Sequence, residues 1–366
     1  MRVALVHDWL VGYRGGERVL DALVTLFPEA EIFTLLHRPG TTSARIDSRP
    51  IHTSFLQSIP GIFERYRTFL PLMPRAIESF DLRGFDFILS SSHCVAKGVR
   101  VPEGVPHLSY VHAPMRYMWD LFEDYFAPGR ASPAVRTAAL LARPFLKRWD
   151  RATASGVNAF VANSHHVAQK IARFYGRASH VIPPPVELPR FAAVRPALAS
   201  ERKYFLWVGA FAPYKRLDLV LEAFRARKGP EPLFIVGSGQ DAARLTDLPP
   251  NVQVLGPVAD AALPELYRNA RALLFPGEED FGLTPLEAQA CGTPVVAFGR
   301  GGALETVTPE TGIFFPTQTV EALTEALDAV PAFLRDFDPR EAQAQARRFS
   351  PKRFLEQISR EVSRLF

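Results

Sequence analysis

Along the first half of the chain, short runs of aliphatic and β-branched residues alternate with stretches whose apolar positions recur every three or four residues. RVALVHD (2–8) precedes GERVLDALVTLF (16–27). FDFILSS (85–91) and HLSYVH (107–112) follow, and AFVANS (159–164) runs into HHVAQKIARFYG (165–176). Runs of the first kind predict buried strands and those of the second amphipathic helices. Strands alternating with helices predict a parallel, doubly wound sheet. The rhythm breaks at VIPPPVELPRF (181–191), where four prolines argue against both helix and central strand, so an interdomain linker is expected there. It then restarts with YFLWVGAF and RLDLVLEAFRA, PLFIVGSG and QDAARL, VQVLGPV and ALPELYRNA, ALLFPGEEDFG and TPLEAQACG, and PVVAFG followed by the turn GGALETV. In the tail, Phe354, Ile358, Val362 and Leu365 keep helical spacing.

The expected fold is α/β, two Rossmann-like doubly wound domains at 1–182 and 183–345, with a terminal helix at 346–366 packing back on the first. A length of 366 residues agrees, since it exceeds the size at which a single core stops growing. No window approaches the roughly 18 uninterrupted apolar residues of a membrane span. The run before His7 and Asp8 is too short for a signal peptide and reads as a first strand, so a cytoplasmic location is expected. Cys94 and Cys291 are far apart and lack partners at metal-ligand spacing, which suggests two reduced buried thiols. The surplus of 43 Lys and Arg over 38 Asp and Glu gives +5. That suits anionic partners such as nucleotide phosphates or an acidic membrane surface, and without a nucleic-acid motif no nucleic acid is expected.

In open parallel sheets ligands sit beyond the carboxyl ends of the strands, where loops enter helix N-termini. The densest such loop is PGEEDFGLTPLEAQACGTPVV (276–296). Thr284, Pro285 and Glu287 fit a capping box with proline at the first helical position. Glu279 before the turn at Gly282 fits something else, a carboxylate for sugar hydroxyls beside the backbone amides of Leu283 and Thr284. WVGAFAPYKRLDLVLEAF (207–224) ends a strand at Gly209 and delivers Lys215 and Arg216 to a helix start, a clamp for a departing diphosphate. Gly15 and Gly16 lie between the first strand and its helix, where amides can approach an anion. His112 ends a predicted strand. Asp336-Phe337-Asp338 reads as a loop, and VGSGQD (236–241) lacks the third glycine of a dinucleotide fingerprint, which disfavours a dehydrogenase.

Glu279 to Glu287, with Phe281, Gly282 and Leu283 inside, resembles the E-x7-E motif of the retaining glycosyltransferase family 4, of GT-B fold. The resemblance extends over nearly the whole chain. It implies that Glu279 contacts the donor sugar, that the following amides hold sugar and phosphate, and that Glu287 binds the ribose. It also implies that the Gly15-Gly16 loop faces the donor phosphate and that His112 touches the donor sugar. Family members commonly carry Arg after the glycine where this chain has Ala210, so Arg216 or another cation must share the phosphate with Lys215. VHAPMRYMWD (111–120) resembles the WbaZ-like mannosyltransferase subgroup and tilts the donor toward GDP-mannose. The implied acceptor is a glycan or polyprenol-linked sugar in cell-surface polysaccharide assembly, with no metal or other cofactor. The aromatic, basic segments 60–80 and 129–151 suit either internal helices or peripheral contact with the inner face of the cytoplasmic membrane. Two other readings fit the same fold: a non-catalytic nucleotide-sugar-binding scaffold subunit, and a sugar-nucleotide epimerase.

Overall fold

A computed structural model describes the whole chain except residues 228, 240, 243 and 244. The expected QDAARL helix includes three of these and lies outside the described residues. The chain divides into two compact units, one of Met1–Pro185 with Pro351–Phe366 and one of Val186–Ser350.

In the first unit β1 (Val3–His7), β2 (Glu31–Thr34), β3 (Ile51–Thr53), β4 (Phe87–Ser92), β5 (His107–Val111), β6 (Ala159–Ala162) and β7 (His180–Val181) form one sheet in the order β3-β2-β1-β4-β5-β6-β7. Every pairing is parallel. β1 shows why. Its side chains alternate between faces, and both faces are apolar. Val3 and Leu5 join one core with Val19, Leu20 and Leu23 of the Gly15–Leu26 helix and Phe354, Ile358 and Val362 of the Pro351–Ser363 helix. Ala4 and Val6 join another with Met73, Ile77 and Leu146. The serines that interrupt β4 are buried and partnered, Ser90 Oγ lying 2.9 Å from both His107 Nε2 and Ser109 Oγ.

The second unit repeats the plan with β8 (Tyr204–Val208), β9 (Leu233–Val236), β10 (Val252–Gly256), β11 (Ala270–Phe275), β12 (Val295–Phe298) and β13 (Gly312–Phe315), all parallel, in the order β10-β9-β8-β11-β12-β13. Tyr204 and Leu206 of β8 face one core, Phe205 and Trp207 the other.

Two local expectations change. The proline-rich segment does contain a helix, Leu188–Ala192, because Pro189 falls in its first turn, where no intrahelical N–H is needed, and it buries Phe191. The helix after β11 starts at Leu283 rather than at Pro285, with Gly282 at the N-cap and no side-chain cap, so the capping box of Thr284 and Glu287 does not form.

Candidate active site

The order of strands reverses in each unit, between β1 and β4 in the first and between β8 and β11 in the second. A crevice at the carboxyl ends is expected at both points. The sequence-predicted polar residues collect at these two places.

In the second unit the loop after β8 carries Gly209, a short turn Pro213–Lys215, and Arg216, which begins the Leu217–Ala226 helix in a left-handed conformation at φ 51°. The loop after β11 carries Glu279. Lys215 Nζ donates to Glu279 Oε1 at 2.5 Å, and both side chains are largely buried. The two loops can meet because residue 277 is glycine. A Cβ there would lie 2.5 Å from the Tyr214 carbonyl oxygen and 2.9 Å from Lys215 Cα. The Lys215 stem also packs on Gly209. Arg216 turns elsewhere, its Nε to Asp218 and one terminal nitrogen 3.2 Å from Gln318 Oε1. Gln318 in turn donates to the Pro276 carbonyl at 2.8 Å.

Gly282, at φ 105°, turns the chain into the Leu283–Ala290 helix. Leu283 and Thr284 are its first residues, so their amides have no acceptor within the helix. The Phe281 ring is buried against Phe349, while the Glu279 carbonyl accepts from Gly302 N–H at 2.8 Å. Glu287 is buried and accepts from the Tyr267 hydroxyl at 2.9 Å. Burial first, and Glu287 second, push the Tyr267 hydroxyl well above its ordinary pKa, so it stays a donor.

In the first unit Gly15 and Gly16 open the Gly15–Leu26 helix. A Cβ on Gly16 would lie 3.5 Å from the His7 ring and 3.9 Å from His112 Nε2, so the glycine turn and His112 share one site. Ser91 Oγ joins His112 Nε2 at 2.8 Å and His7 Nδ1 at 3.2 Å. His7 Nε2 is 3.9 Å from Glu17 Oε1. Burial raises the Glu17 pKa, but the nearby imidazoles of His7 and His93 outweigh it and hold the carboxyl below its ordinary value. Burial holds His112 well below its ordinary pKa, with His93, His7 and Arg116 adding to it, so the ring is neutral near pH 7. Ser91 Oγ thus links the two imidazoles in one buried polar chain.

Beside this chain Asp8, fully buried, accepts from the backbone amides of His93, Cys94, Val95 and Ala96 at 2.6 to 3.0 Å. It ties the end of β1 to the loop after β4. The same carboxylate lies 3.1 Å from His93 Nδ1, and the His93 ring meets Trp9 edge-on.

His7, Asp8, Glu17, Ser91, His93, Tyr267 and Gln318 were not singled out by the sequence. A signal existed for Asp8 and His93, polar residues just past two apolar strands. For Tyr267 and Gln318 none did, because each meets its partner only through the fold. Asp336-Phe337-Asp338 is a helix junction: Asp338 caps the Pro339–Arg347 helix through Arg340 N–H at 2.9 Å. Among the described residues no three His, Cys, Asp or Glu side chains are grouped to hold a metal ion.

Residues 13–190 match the family described as Glycosyltransferase Family 4, and residues 192–345 that described as Glycosyl transferases group 1. D-inositol 3-phosphate glycosyltransferase of Geodermatophilus obscurus is 36% identical over 174 residues, 39% of this chain and 38% of that protein. The GDP-mannose-dependent monoacylated alpha-(1-6)-phosphatidylinositol monomannoside mannosyltransferase of Corynebacterium glutamicum is 35% identical over 130 residues, 31% of this chain and 34% of that one. The matched stretches thus span well under two thirds of these relatives. A sucrose-phosphate synthase from Thermosynechococcus elongatus superposes with a TM-score of 0.74 at 19% identity, over 100% of this chain and 99% of that one. Anabaena HepE in complex with UDP-glucose gives 0.64 at 17%, over 99% and 100%. At these identities the likeness concerns the fold, which is GT-B.

Proposed function

We propose that the chain, whose two halves match the glycosyltransferases of family 4 and of group 1, moves a hexose from a nucleotide sugar to a hydroxyl of a glycan or polyprenol-linked acceptor, with retention of anomeric configuration. The observation that carries this reading is the Lys215–Glu279 pair at the switch point of the second unit. A diphosphate reaching Lys215 Nζ competes with Glu279 for that cation, which frees the carboxylate to accept hydrogen bonds from the sugar.

In the reaction the bond from the anomeric carbon to the diphosphate oxygen breaks as the acceptor oxygen attacks on the same face, and the acceptor proton passes to the departing phosphate. Lys215 and the amides of Leu283 and Thr284 stabilise the charge that grows there, and Arg216 joins them by exchanging Asp218 and Gln318 for the phosphate. Glu287, held by Tyr267, takes the ribose. The family resemblance also assigns donor contacts to Gly15, Gly16 and His112, which lie together in the first unit.

GDP-mannose is the favoured donor. The VHAPMRYMWD run, which resembles the WbaZ-like subgroup, supports it, as does the GDP-mannose dependence in the name of the Corynebacterium relative. The phosphatidylinositol mannoside in that name also supports a lipid-linked acceptor in cell-surface glycan assembly, met at a membrane surface. Thermal unfolding with GDP-mannose, GDP-fucose, UDP-glucose, UDP-N-acetylglucosamine and dTDP-rhamnose tests the reading, since a ligand at 100 times its dissociation constant stabilises by about 2.7 kcal/mol. A shift with GDP-mannose above the others is expected. A larger shift with a uridine donor replaces the donor, and no shift with any overturns the transferase reading.

A further inference from the structure

Ten large apolar side chains are exposed among the described residues, and four of them, Val135, Leu140, Leu141 and Phe145, sit on the single helix Pro133–Thr153. Its inner side is accounted for: Ala139, Leu146 and Asp150 are buried. Its outer side is the anomaly. Ala134, Ala138, Leu141, Phe145 and Arg148 recur at intervals of three or four and are all exposed, Leu141 by 78% and Phe145 by 56%. That spacing makes one continuous stripe, about 20 Å long at 1.5 Å per residue. A surface helix ordinarily turns its polar side outward. Here the solvent side is apolar over its first three turns and becomes cationic at its end.

The surrounding charge is mostly positive, with Glu123, paired to Arg136, as an acidic neighbour at one end. Arg143 donates to the carbonyls of Met118 and Trp119, and Arg151 to that of Phe174. Lys147 lies over the Trp119 ring at 4.4 Å and Arg173 over Phe174 at 5.4 Å. Among the described residues none of these four cations, nor Arg148, is paired with a carboxylate. They crowd one another: burial first, then Arg143, Arg151 and Arg173, lower the pKa of Lys147. Carbonyls and rings satisfy their geometry but leave most of their charge uncompensated, Glu123 acting on Arg143 from a distance.

We infer that this face docks on an anionic lipid bilayer, with Leu141 and Phe145 entering the boundary between headgroups and acyl chains and Arg143, Lys147, Arg148, Arg151 and Arg173 meeting lipid phosphates. Apolar side chains at the crest of a convex helix, flanked by cations along one side, suit a soft anionic interface better than the fixed pockets of a protein partner. No helix among the described residues is long and apolar enough to cross a membrane, so the contact is one that lies on the surface. The inference deepens the proposed function by placing the enzyme at the membrane, and it takes its purpose from that reading.

Co-sedimentation of the full chain with large vesicles of phosphatidylcholine, alone or mixed equally with phosphatidylglycerol, tests it. Binding is expected to the anionic vesicles, weak to the neutral ones, and falling as salt screens the cations. The double variant Leu141→Ser/Phe145→Ser should lower partitioning about tenfold or more, and Arg148→Glu should lower it too, with melting temperatures unchanged. Equal, weak sedimentation with both vesicles overturns the inference, as does a double variant that binds like the parent. So does a dimer in gel filtration that the double variant dissolves, or retention on polyglutamate without binding to vesicles. Loss of vesicle binding with the nucleotide-sugar shift intact removes this surface alone, and the converse removes the transferase reading alone.

Discussion

At the scale of single residues, the candidate residues of the two units are organised by different forces. In the second unit it is a direct ion pair. Lys215→Ala is expected to lower nucleotide-sugar turnover, read as nucleotide diphosphate release, by about 10²- to 10³-fold, the usual consequence of removing one contributor to charge stabilisation. Melting should fall too, because Glu279 keeps a largely buried charge without its partner, so turnover is compared where both proteins are folded, and near-parental turnover would remove Lys215 from the clamp. In the first unit it is a shared hydroxyl. Ser91→Ala leaves His7 and His112 each without its buried partner, at a cost of about 1–3 kcal/mol in stability. It should also weaken donor affinity, because the His112 ring loses its orientation. Melting and titration calorimetry on the one variant separate the two effects, and a variant with parental donor affinity would reduce Ser91 to a packing role. The sequence pointed to His112 and Lys215 because each ends a strand or opens a helix. It did not point to Ser91, one of three consecutive serines in an apolar strand, because only the register of β4 against β1 and β5 decides which serine meets which histidine.

At the scale of elements, the central strands were legible because each is a near-continuous apolar run covered on both faces. The edges were not. β3 has three residues and β7 two, too few for a period to show, and β2 and β13 have four each. Helix starts were the other weak point. Around residue 284 the sequence offers a plausible capping box, yet the fold turns Glu287 inward to Tyr267 and leaves Gly282 to open the helix. The contact between the loops after β8 and β11 was likewise invisible, since nothing in PGEE marks Gly277 as the point of approach. Gly277→Ala must push its methyl into the Tyr214 carbonyl at 2.5 Å. The backbone there has to move, which separates Lys215 from Glu279. Loss of the donor-induced thermal shift is expected in a protein that still folds, and a retained shift would show that the two loops need not touch for the donor to bind.

At the scale of the whole molecule the titratable groups are divided unevenly: all nine histidines lie in residues 1–185, within the first unit. Three of them, His93, His107 and His112, have pKa values held down chiefly by burial, that of His107 to about 4 from 6.5. The sign follows from the folded value lying below the unfolded one. Between the two, the unfolded chain binds more protons, so stability present above pH 6.5 drains away as the pH falls toward 4. For His107 alone the loss amounts to about 2 kcal/mol by pH 5 and about 3 kcal/mol once both states are protonated. The second unit has no histidine to respond. Hydrogen exchange, expressed as protection factors, should therefore show the first unit opening as the pH falls from 7 to 5, with the core strands β8 and β11 of the second unchanged. His107→Asn, which cannot take up a proton, should flatten that dependence in β4 and β5. Equal loss of protection in both units would mean that they unfold as one body, and acid sensitivity would then belong to the molecule rather than to its histidine-bearing half.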